Sequence, residues 1–207
     1  MASTAINPRA QRTRTALLAA GFELLAERPI DAVAIDEVVA KAGVAKGSFF
    51  NHFTDKASFG HALGAAVRAD LEERVGAANA GISDPVLRLA GGMRVAVHFA
   101  LTERQQAVVM VRGMALSTAI DHQLNAGIRA DIEALVASGQ AREEAVRSGV
   151  RYWLGLCQIA MLNAIERQHA RSDAADRLGE MLVLGLTGLG VAPGRARAAA
   201  QLVAAAL

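Results

Sequence analysis

Hydrophobic positions recur along this chain at the spacing of an α-helix. In the first predicted helix, at about 8–27, the recurring residues are Leu17, Leu18, Phe22, Leu24 and Leu25. Residues three or four apart share one face of a helix, so this pattern indicates a face that packs against a core. Glycine, proline and serine-containing turns interrupt the pattern and divide the chain. The predicted helices lie at about 8–27, 35–42, 45–52, 56–78, 85–101, 103–112, 114–138, 141–169, 173–189 and 194–206.

Composition also favours a wholly helical chain. The 207 residues are 53% hydrophobic and only 4% aromatic, with frequent alanine and few β-branched residues, a balance that favours helix over sheet. The four prolines stand at 8, 29, 85 and 193, so no obligate helix breaker interrupts residues 86–192. We therefore predict an all-α fold.

Cysteine content and hydropathy exclude several classes of protein. The single cysteine, Cys157, allows no internal disulfide, and no apolar run reaches the roughly 18 residues of a membrane span. The first residues carry Arg9, Arg12 and Arg14 without the apolar segment of a signal peptide. We expect a cytoplasmic protein that does not contact a membrane.

The segment 35–53 has the layout of a helix-turn-helix. Two short predicted helices are joined by a tight turn at Gly43 and Val44, and in this motif the second helix enters the DNA major groove. Gly43 would supply the positive φ of the turn, and Val44 would fill the angle between the helices. The second helix carries four side chains that suit phosphates or base edges, namely Lys46, Ser48, Asn51 and His52.

The stretch from Arg12 to Leu63 resembles the DNA-binding domain of the TetR family of bacterial repressors. The matching run is Ile35-Asp-Glu-Val-Val-Ala-Lys-Ala-Gly-Val-Ala-Lys-Gly-Ser-Phe-Phe-Asn-His-Phe-Thr-Asp-Lys56. The resemblance implies an N-terminal three-helix helix-turn-helix domain at 1–55, which reaches the start of the fourth helix. It further implies an antiparallel helical bundle at 56–207 for ligand binding and dimerisation.

The resemblance also implies roles for single side chains. Lys46 and Asn51 would contact base edges, because lysine suits guanine and asparagine suits adenine, and Ala45 would contact a thymine methyl group. Phosphates would be bound by Ser48, His52 and Lys56. The DNA backbone or a minor groove would be contacted by Arg9, Arg12 and Arg14.

Three positions depart from the family pattern. Phe50 stands where the family usually has a tyrosine whose hydroxyl reaches a phosphate. Ala34 and Ala45 stand where hydroxyl residues often cap the two short helices, and losing such a cap typically costs about 1 kcal/mol. We expect weaker phosphate anchoring, or compensation by the N-terminal arginines.

The C-terminal helices contain a candidate ligand pocket. Trp153, Cys157 and Met161 follow one another at four-residue spacing and so share one face of a helix. This stripe is either the core of the bundle or one wall of a mostly apolar pocket with a few polar groups. The other candidates are His98, Phe99, Met110, Met114 and His122, with Gln158 and Asn163 as further polar groups.

No catalytic or metal-binding motif is evident in the C-terminal part. The five histidines never pair at helical spacing, so we predict no metal site, no catalytic residue and no cofactor. The glycines of 185–190 follow no predicted strand and are better explained by close helix packing. By resemblance to the family, the helices at 141–169 and 173–189 would form a homodimer.

These features favour a homodimeric transcriptional regulator, most simply a repressor of a pseudo-palindromic operator that a small, largely apolar effector releases. Two alternatives stay open. The first is a small helical enzyme, and the second is a helical protein–protein adaptor that has lost DNA binding. The sequence does not identify the effector, the operator or the regulated genes.

Overall fold

A computed structural model describes residues 8–112, 125–166 and 171–207, and within them it contains helices and turns but no strand. The all-α prediction is confirmed. The helices are α1 (Pro8–Glu27), α2 (Ile35–Ala42), α3 (Lys46–Phe50), α4 (Lys56–Ala78), α5 (Pro85–Thr102), α6 (Arg104–Arg112), α7 (Ala126–Ala137), α8 (Ala145–Glu166), α9 (Arg171–Leu189) and α10 (Pro193–Ala204).

Most helix limits agree with the sequence prediction to within a few residues, with three differences. A short 3₁₀ helix at Ile30–Ala32 was not predicted. The second helix of the motif ends at Phe50 rather than 52, where the N–H groups of His52 and Phe53 both bond to the Phe49 carbonyl. The helix predicted at 114–138 is observed from Ala126, and its first part lies outside the described residues.

The N-terminal helices enclose a core of their own. Its aromatic centre is Phe49, Phe53 and Phe59, whose ring centroids lie 4.9 to 5.4 Å apart in tilted or edge-to-face pairs. Aliphatic residues of α1, α2 and α4 surround these rings. Helices α1 and α4 approach so closely at Gly21 that an added Cβ atom would lie 2.5 Å from Phe59 Cζ. This aromatic core fixes α3 against α1 and α4.

The turn between α2 and α3 has the predicted conformation. Gly43 adopts φ 65° and ψ 33°, the left-handed region that glycine enters without a Cβ clash. The N–H of the next residue, Val44, bonds to the Val39 carbonyl at 3.0 Å. This turn sets the direction in which α3 leaves the domain.

The C-terminal helices form a second and larger core. Buried residues of α5, α7, α8, α9 and α10 make up one cluster, and residues of α4, α5, α6 and α8 make up a smaller neighbouring one. Helix α5 lies centrally, with ten of its 18 residues buried. The predicted close packing at the late glycines is confirmed at Gly185, where a Cβ atom would lie 2.8 Å from Leu156 Cδ1 and 3.0 Å from Trp153 Cζ3.

Candidate DNA-contacting surface and ligand cavity

Helix α3 is anchored by one face and presents the other outward. Phe49 is fully buried, at 0% exposure, in the aromatic core. Lys46 and Asn51 lie on the exposed side, together with Ala45 just before the helix begins. Ser48 and His52 are half-buried at the edges of this surface. The predicted base-contacting side chains therefore share an accessible surface, while the phosphate candidates lie beside it.

Lys46 is held by an ion pair within the motif. Its Nζ lies 2.8 Å from Asp36 Oδ1 of α2, and the two side chains are 57% and 70% exposed. Ion pairs this exposed contribute little to stability and weaken as salt is added. Lys46 can therefore exchange Asp36 for an acceptor on DNA at small cost.

Lys56, which we predicted to bind a phosphate, has an internal role. Its Nζ donates to the carbonyl oxygens of Asp31 at 2.9 Å and Val33 at 3.1 Å. These bonds join the start of α4 to the segment that leads into α2. An ammonium group carries three protons, so one proton remains for a phosphate, and the DNA contact stays a prediction.

The three N-terminal arginines lie on the first two turns of α1. The guanidinium carbon of Arg14 is 5.7 Å from the centroid of the Phe53 ring, a cation–π arrangement. Arg14 therefore lies beside the end of α3, whereas Arg9 and Arg12 are exposed nearer the helix start. Their proposed contact with DNA is untested by the structure.

The start of α2 is better capped than the sequence analysis expected. Ala34 has no side-chain acceptor, but its N–H donates to Glu37 Oε2 at 3.1 Å, and Arg28 Nη2 donates to the same oxygen at 2.8 Å. The Ala34 N–H and the Arg28 guanidinium hold the pKa of Glu37 below its ordinary value. Glu37 supplies half of a capping box, a signal three residues after Ala34 that we had overlooked.

The other two departures remain as predicted. The start of α3 has no side-chain cap at Ala45. Phe50 is 51% exposed and meets Phe49 edge-on at 5.4 Å, with no hydroxyl to offer. The next helix, α4, is capped by Asp55, because its Oδ1 accepts the Ser58 N–H at 2.7 Å.

A cavity of about 380 Å³ lies among α4, α5, α6, α7 and α8. Most of its wall is apolar, with Leu71, Val75, Leu89, Trp153 and Met161 among the lining residues. Two oppositely charged pairs, Arg68 with Glu72 and Arg88 with Asp131, interrupt the apolar wall. A mainly apolar cavity with few polar groups is typical of a small-molecule site.

Arg68 is the most deeply buried charge of the cavity wall, at 5% exposure. Its Nη2 lies 2.6 Å from Glu72 Oε1 and donates to Asn125 Oδ1 at 2.9 Å. Its Nε is buried without a hydrogen-bond partner in the described part of the chain. Burial raises the pKa of Glu72, and the charge of Arg68 opposes that rise.

Arg88 and Asp131 form the second pair. Arg88 Nε donates to Asp131 Oδ1 at 2.6 Å, and Nη1 donates to the carbonyls of Ile82 and Ser83, each at 2.9 Å. Burial raises the pKa of Asp131, against the lowering effect of its bond to Arg88. This pair joins α5 to α7 and closes one side of the cavity.

An apolar strip is exposed on α8 and α9. Ile159 is 51% exposed, Tyr152 38% and Leu184 68%. The Tyr152 hydroxyl donates to the Leu184 carbonyl at 3.4 Å, which brings the two helices together at this strip. At Gly188 a Cβ atom would overlap the Tyr152 hydroxyl oxygen, so this glycine also permits the close approach.

Residues 17–63 match the family described as "Bacterial regulatory proteins, tetR family". This segment, which contains α2 and α3, is therefore of the tetR type. It is 43% identical over 56 residues to the transcriptional regulator AcuR of Cereibacter sphaeroides, across 27% of this chain and 26% of that protein. The chain thus matches only about a quarter of the length of this curated relative.

Solved structures share the fold over nearly the whole chain. RolR in complex with resorcinol matches at a TM-score of 0.67 and 24% identity, covering 93% of this chain and 94% of that one. A putative tetR family transcription regulator from Shewanella sp. PV-4 matches at a TM-score of 0.73 and 17% identity, covering 86% of this chain and 97% of that one. A γ-butyrolactone receptor, an ArpA-like protein, matches at a TM-score of 0.63 and 16% identity, covering 97% of this chain and 100% of that one.

The cavity contains only part of the predicted pocket. Met110, Trp153, Cys157, Met161 and Gln158 line it, whereas Met114 and His122 lie outside the described residues. Burial raises the pKa of the Cys157 thiol to about 12, so this residue is an uncharged thiol at neutral pH. It therefore adds to the apolar wall.

Two of the predicted pocket residues need correction. Phe99 is 1% exposed in the core between α4, α5, α6 and α8, where the Arg74 guanidinium carbon lies 5.2 Å from its ring centroid. Neither Phe99 nor His98 is among the residues lining the cavity, because α5 turns a different face towards it. Asn163 lines a separate space of only about 20 Å³.

Sequence reasoning missed the charged pairs of the cavity wall. Arg68 and Glu72 are four residues apart and stand among Val67, Leu71 and Val75 on the buried side of α4. Charged residues within an apolar stripe were the available signal, because buried charges need partners. In the described residues no helix is long and apolar enough to cross a membrane, and no cluster suits a metal ion.

Proposed function

We propose that this protein is a homodimeric repressor of the tetR family that binds a pseudo-palindromic operator through α3 and is released by a small, largely apolar effector. One observation carries the proposal, the presence in one chain of an outward polar face on α3 and a separate apolar cavity in the helical bundle. The first suits DNA and the second suits a ligand. Helices α4 and α6 touch both regions, so an effector has a physical route to the DNA-contacting surface.

The exposed strip on α8 and α9 supports dimerisation. Tyr152, Ile159 and Leu184 place large apolar side chains in water, and such patches commonly mark interfaces. Two copies that pack this strip against itself would form a two-fold assembly. That symmetry would present two α3 helices to successive major grooves, about 34–36 Å apart. The prediction of dimerisation through 141–169 and 173–189 is consistent with this arrangement.

The comparisons favour a small organic effector. RolR, which shares the fold, was determined with resorcinol bound, and another neighbour is described as a γ-butyrolactone receptor. A cavity of about 380 Å³ suits molecules of this general size. Release requires only that the effector prefer a conformation in which the α3 helices are misplaced for DNA. A tenfold release corresponds to about 1.4 kcal/mol of coupling.

Selection of bound sequences from a random duplex pool tests DNA recognition. We expect a pseudo-palindrome, whose binding weakens steeply as salt is raised because phosphate contacts release counterions. Recovery of no consensus sequence would refute operator recognition and favour the adaptor alternative. Sedimentation of the protein alone, without DNA, tests the assembly separately.

Leu184→Glu should break the proposed dimer, because two carboxylates would be buried where two leucines met. We expect a shift to monomer at micromolar concentration. Leu202→Glu on α10 is the matched control, since Leu202 is 64% exposed but lies outside the strip. If both variants sediment as the unmodified protein does, the interface lies elsewhere.

A further inference from the structure

The cavity contains a buried cation whose hydrogen-bonding capacity is not used. Arg68 is 5% exposed, and its guanidinium stays charged because arginine does not lose its proton in proteins. Its described partners, Glu72 and Asn125, both bond to Nη2. The Nε–H donor is buried and unpaired within the described residues, although a buried donor left unpaired costs about 1–3 kcal/mol. Arg68 also lines the cavity, so a bound molecule with an oxygen acceptor can offer this guanidinium a further partner.

Glu72 limits what that molecule can be. Its side chain is 25% exposed and pairs with Arg68 at 2.6 Å through Oε1. The described charged residues of the cavity wall are two arginines and two carboxylates, Arg68 with Glu72 and Arg88 with Asp131. The described part of the wall is therefore balanced in charge. A charged ligand would leave an uncompensated charge in a poorly solvated space, which is strongly unfavourable.

We propose that the effector is a neutral, mostly apolar molecule with a hydroxyl group that accepts from the Arg68 guanidinium and donates to the Glu72 carboxylate. A hydroxyl is the smallest neutral group that does both, since it has one donor and two acceptor lone pairs. A carboxylate accepts but has no proton for Glu72 and repels it. An ammonium group donates but repels Arg68. This inference rests on the proposed function, because it takes the cavity as the effector site.

The rest of the wall sets the size and polarity of the molecule. The lining residues of α4 run from Arg68 to Gly76, a rise of about 12 Å along the helix. Between these ends the wall is formed mainly by apolar side chains, with Leu71 and Val75 on α4 itself. A ring system attached to the hydroxyl would fill this middle region. Burial of its apolar surface would supply most of the affinity.

Trp153 provides a direct measure of binding. It is the only tryptophan of the chain, is 1% exposed and lines the cavity. We would titrate the protein without DNA and follow Trp153 fluorescence. The probes are three transparent ring skeletons, cyclohexane, 4-tert-butylcyclohexane and adamantane. Each is used as the alcohol, the carboxylate and the ammonium compound.

We expect at least one alcohol to bind at least tenfold more tightly than the carboxylate and the ammonium compound of the same skeleton. Glu72→Gln leaves Arg68 without its counter-charge, so it should favour the carboxylate over the alcohol by about tenfold relative to the unmodified protein. The preference for the alcohol should therefore narrow or reverse. Glu73→Gln is the matched control, since Glu73 is exposed on the same helix and does not line the cavity. It should leave all affinities unchanged.

Two results would overturn the inference. The first is a carboxylate or ammonium compound that binds as well as its alcohol. The second is the lack of saturable binding by all three alcohols. Because operator selection requires no probe, either result leaves the proposed DNA recognition intact, and failure of that selection leaves the probe titration interpretable.

Discussion

Val109 and Met110 are adjacent in α6, yet their side chains are buried in different places. Val109 is 5% exposed and belongs to the aromatic core of the N-terminal helices. Met110 is 6% exposed and lines the cavity of the C-terminal bundle. Successive residues point about 100° apart around a helix, so one short helix can contact both. Helix α6 therefore connects the two regions alongside α4.

Val109→Ala should destabilise the protein, because it weakens the packing of α6 against the N-terminal core. Removing two buried methyl groups from the N-terminal core is expected to lower the free energy of unfolding by about 1–3 kcal/mol. Chemical denaturation measures this change. Leu202→Ala is the control and should shift stability by less than about 0.5 kcal/mol, because Leu202 is 64% exposed. If both substitutions lower the free energy of unfolding equally, the Val109 side chain does not contribute to the N-terminal core.

Lys46→Ala and Asn51→Ala should weaken operator binding and relax its sequence preference. Both side chains lie on the exposed surface of α3, and a good base contact contributes about 1–3 kcal/mol of discrimination. Affinity for the selected operator and for single-base variants of it would be measured at one salt concentration. Arg197→Ala on α10 is the control for a general loss of positive charge. If all three variants lose affinity equally, the assigned base contacts are wrong.

Phe50→Tyr should strengthen operator binding several-fold. Phe50 is 51% exposed beside Asn51, so an added hydroxyl would meet water in the free protein and a phosphate in the complex. One hydrogen bond to a charged group contributes about 1.5–3 kcal/mol at most. Phe50→Leu offers no hydroxyl and should give no gain. Unchanged affinity of Phe50→Tyr would place this residue away from the DNA backbone.

Gly21→Ala should destabilise the N-terminal domain. An added Cβ would lie 2.5 Å from Phe59 Cζ and 2.8 Å from Leu63 Cδ1, and overpacking of this kind costs about 1–3 kcal/mol. The control is Gly64→Ala, where nothing lies within 4 Å of the new atom. That change should stabilise α4 by about 0.5–1 kcal/mol, because alanine favours helix over glycine. Thermal unfolding of both variants would show shifts of opposite sign.

Sequence patterns were informative wherever a local rule decides the structure. Helix α4 was predicted at its observed limits, since the Asp55 cap begins it and the turn-rich segment before Pro85 follows it. Gly43 was predicted to have positive φ for the same kind of reason. The exposed surface of α3 was also predicted from the motif, because the apolar Phe49 stands among polar side chains that point to the other side of this short helix. These features depend on residues a few positions apart.

The cavity required the tertiary structure. Arg68, Arg88 and Asp131 lie on three different helices, and only their packing places them around one space with Trp153. The same holds for Lys56, whose partners Asp31 and Val33 are 25 and 23 residues away.

By itself, the sequence determined the helical class, the helix-turn-helix and the side chains that α3 turns outward, because spacing, caps and turn residues act locally. Tertiary structure alone decided which helix faces enclose the cavity, which charges pair across it and which residues bridge the two cores. Those contacts depend on how whole helices cross, and hydrophobic periodicity gives only the buried face of each helix, not the neighbour against which that face packs.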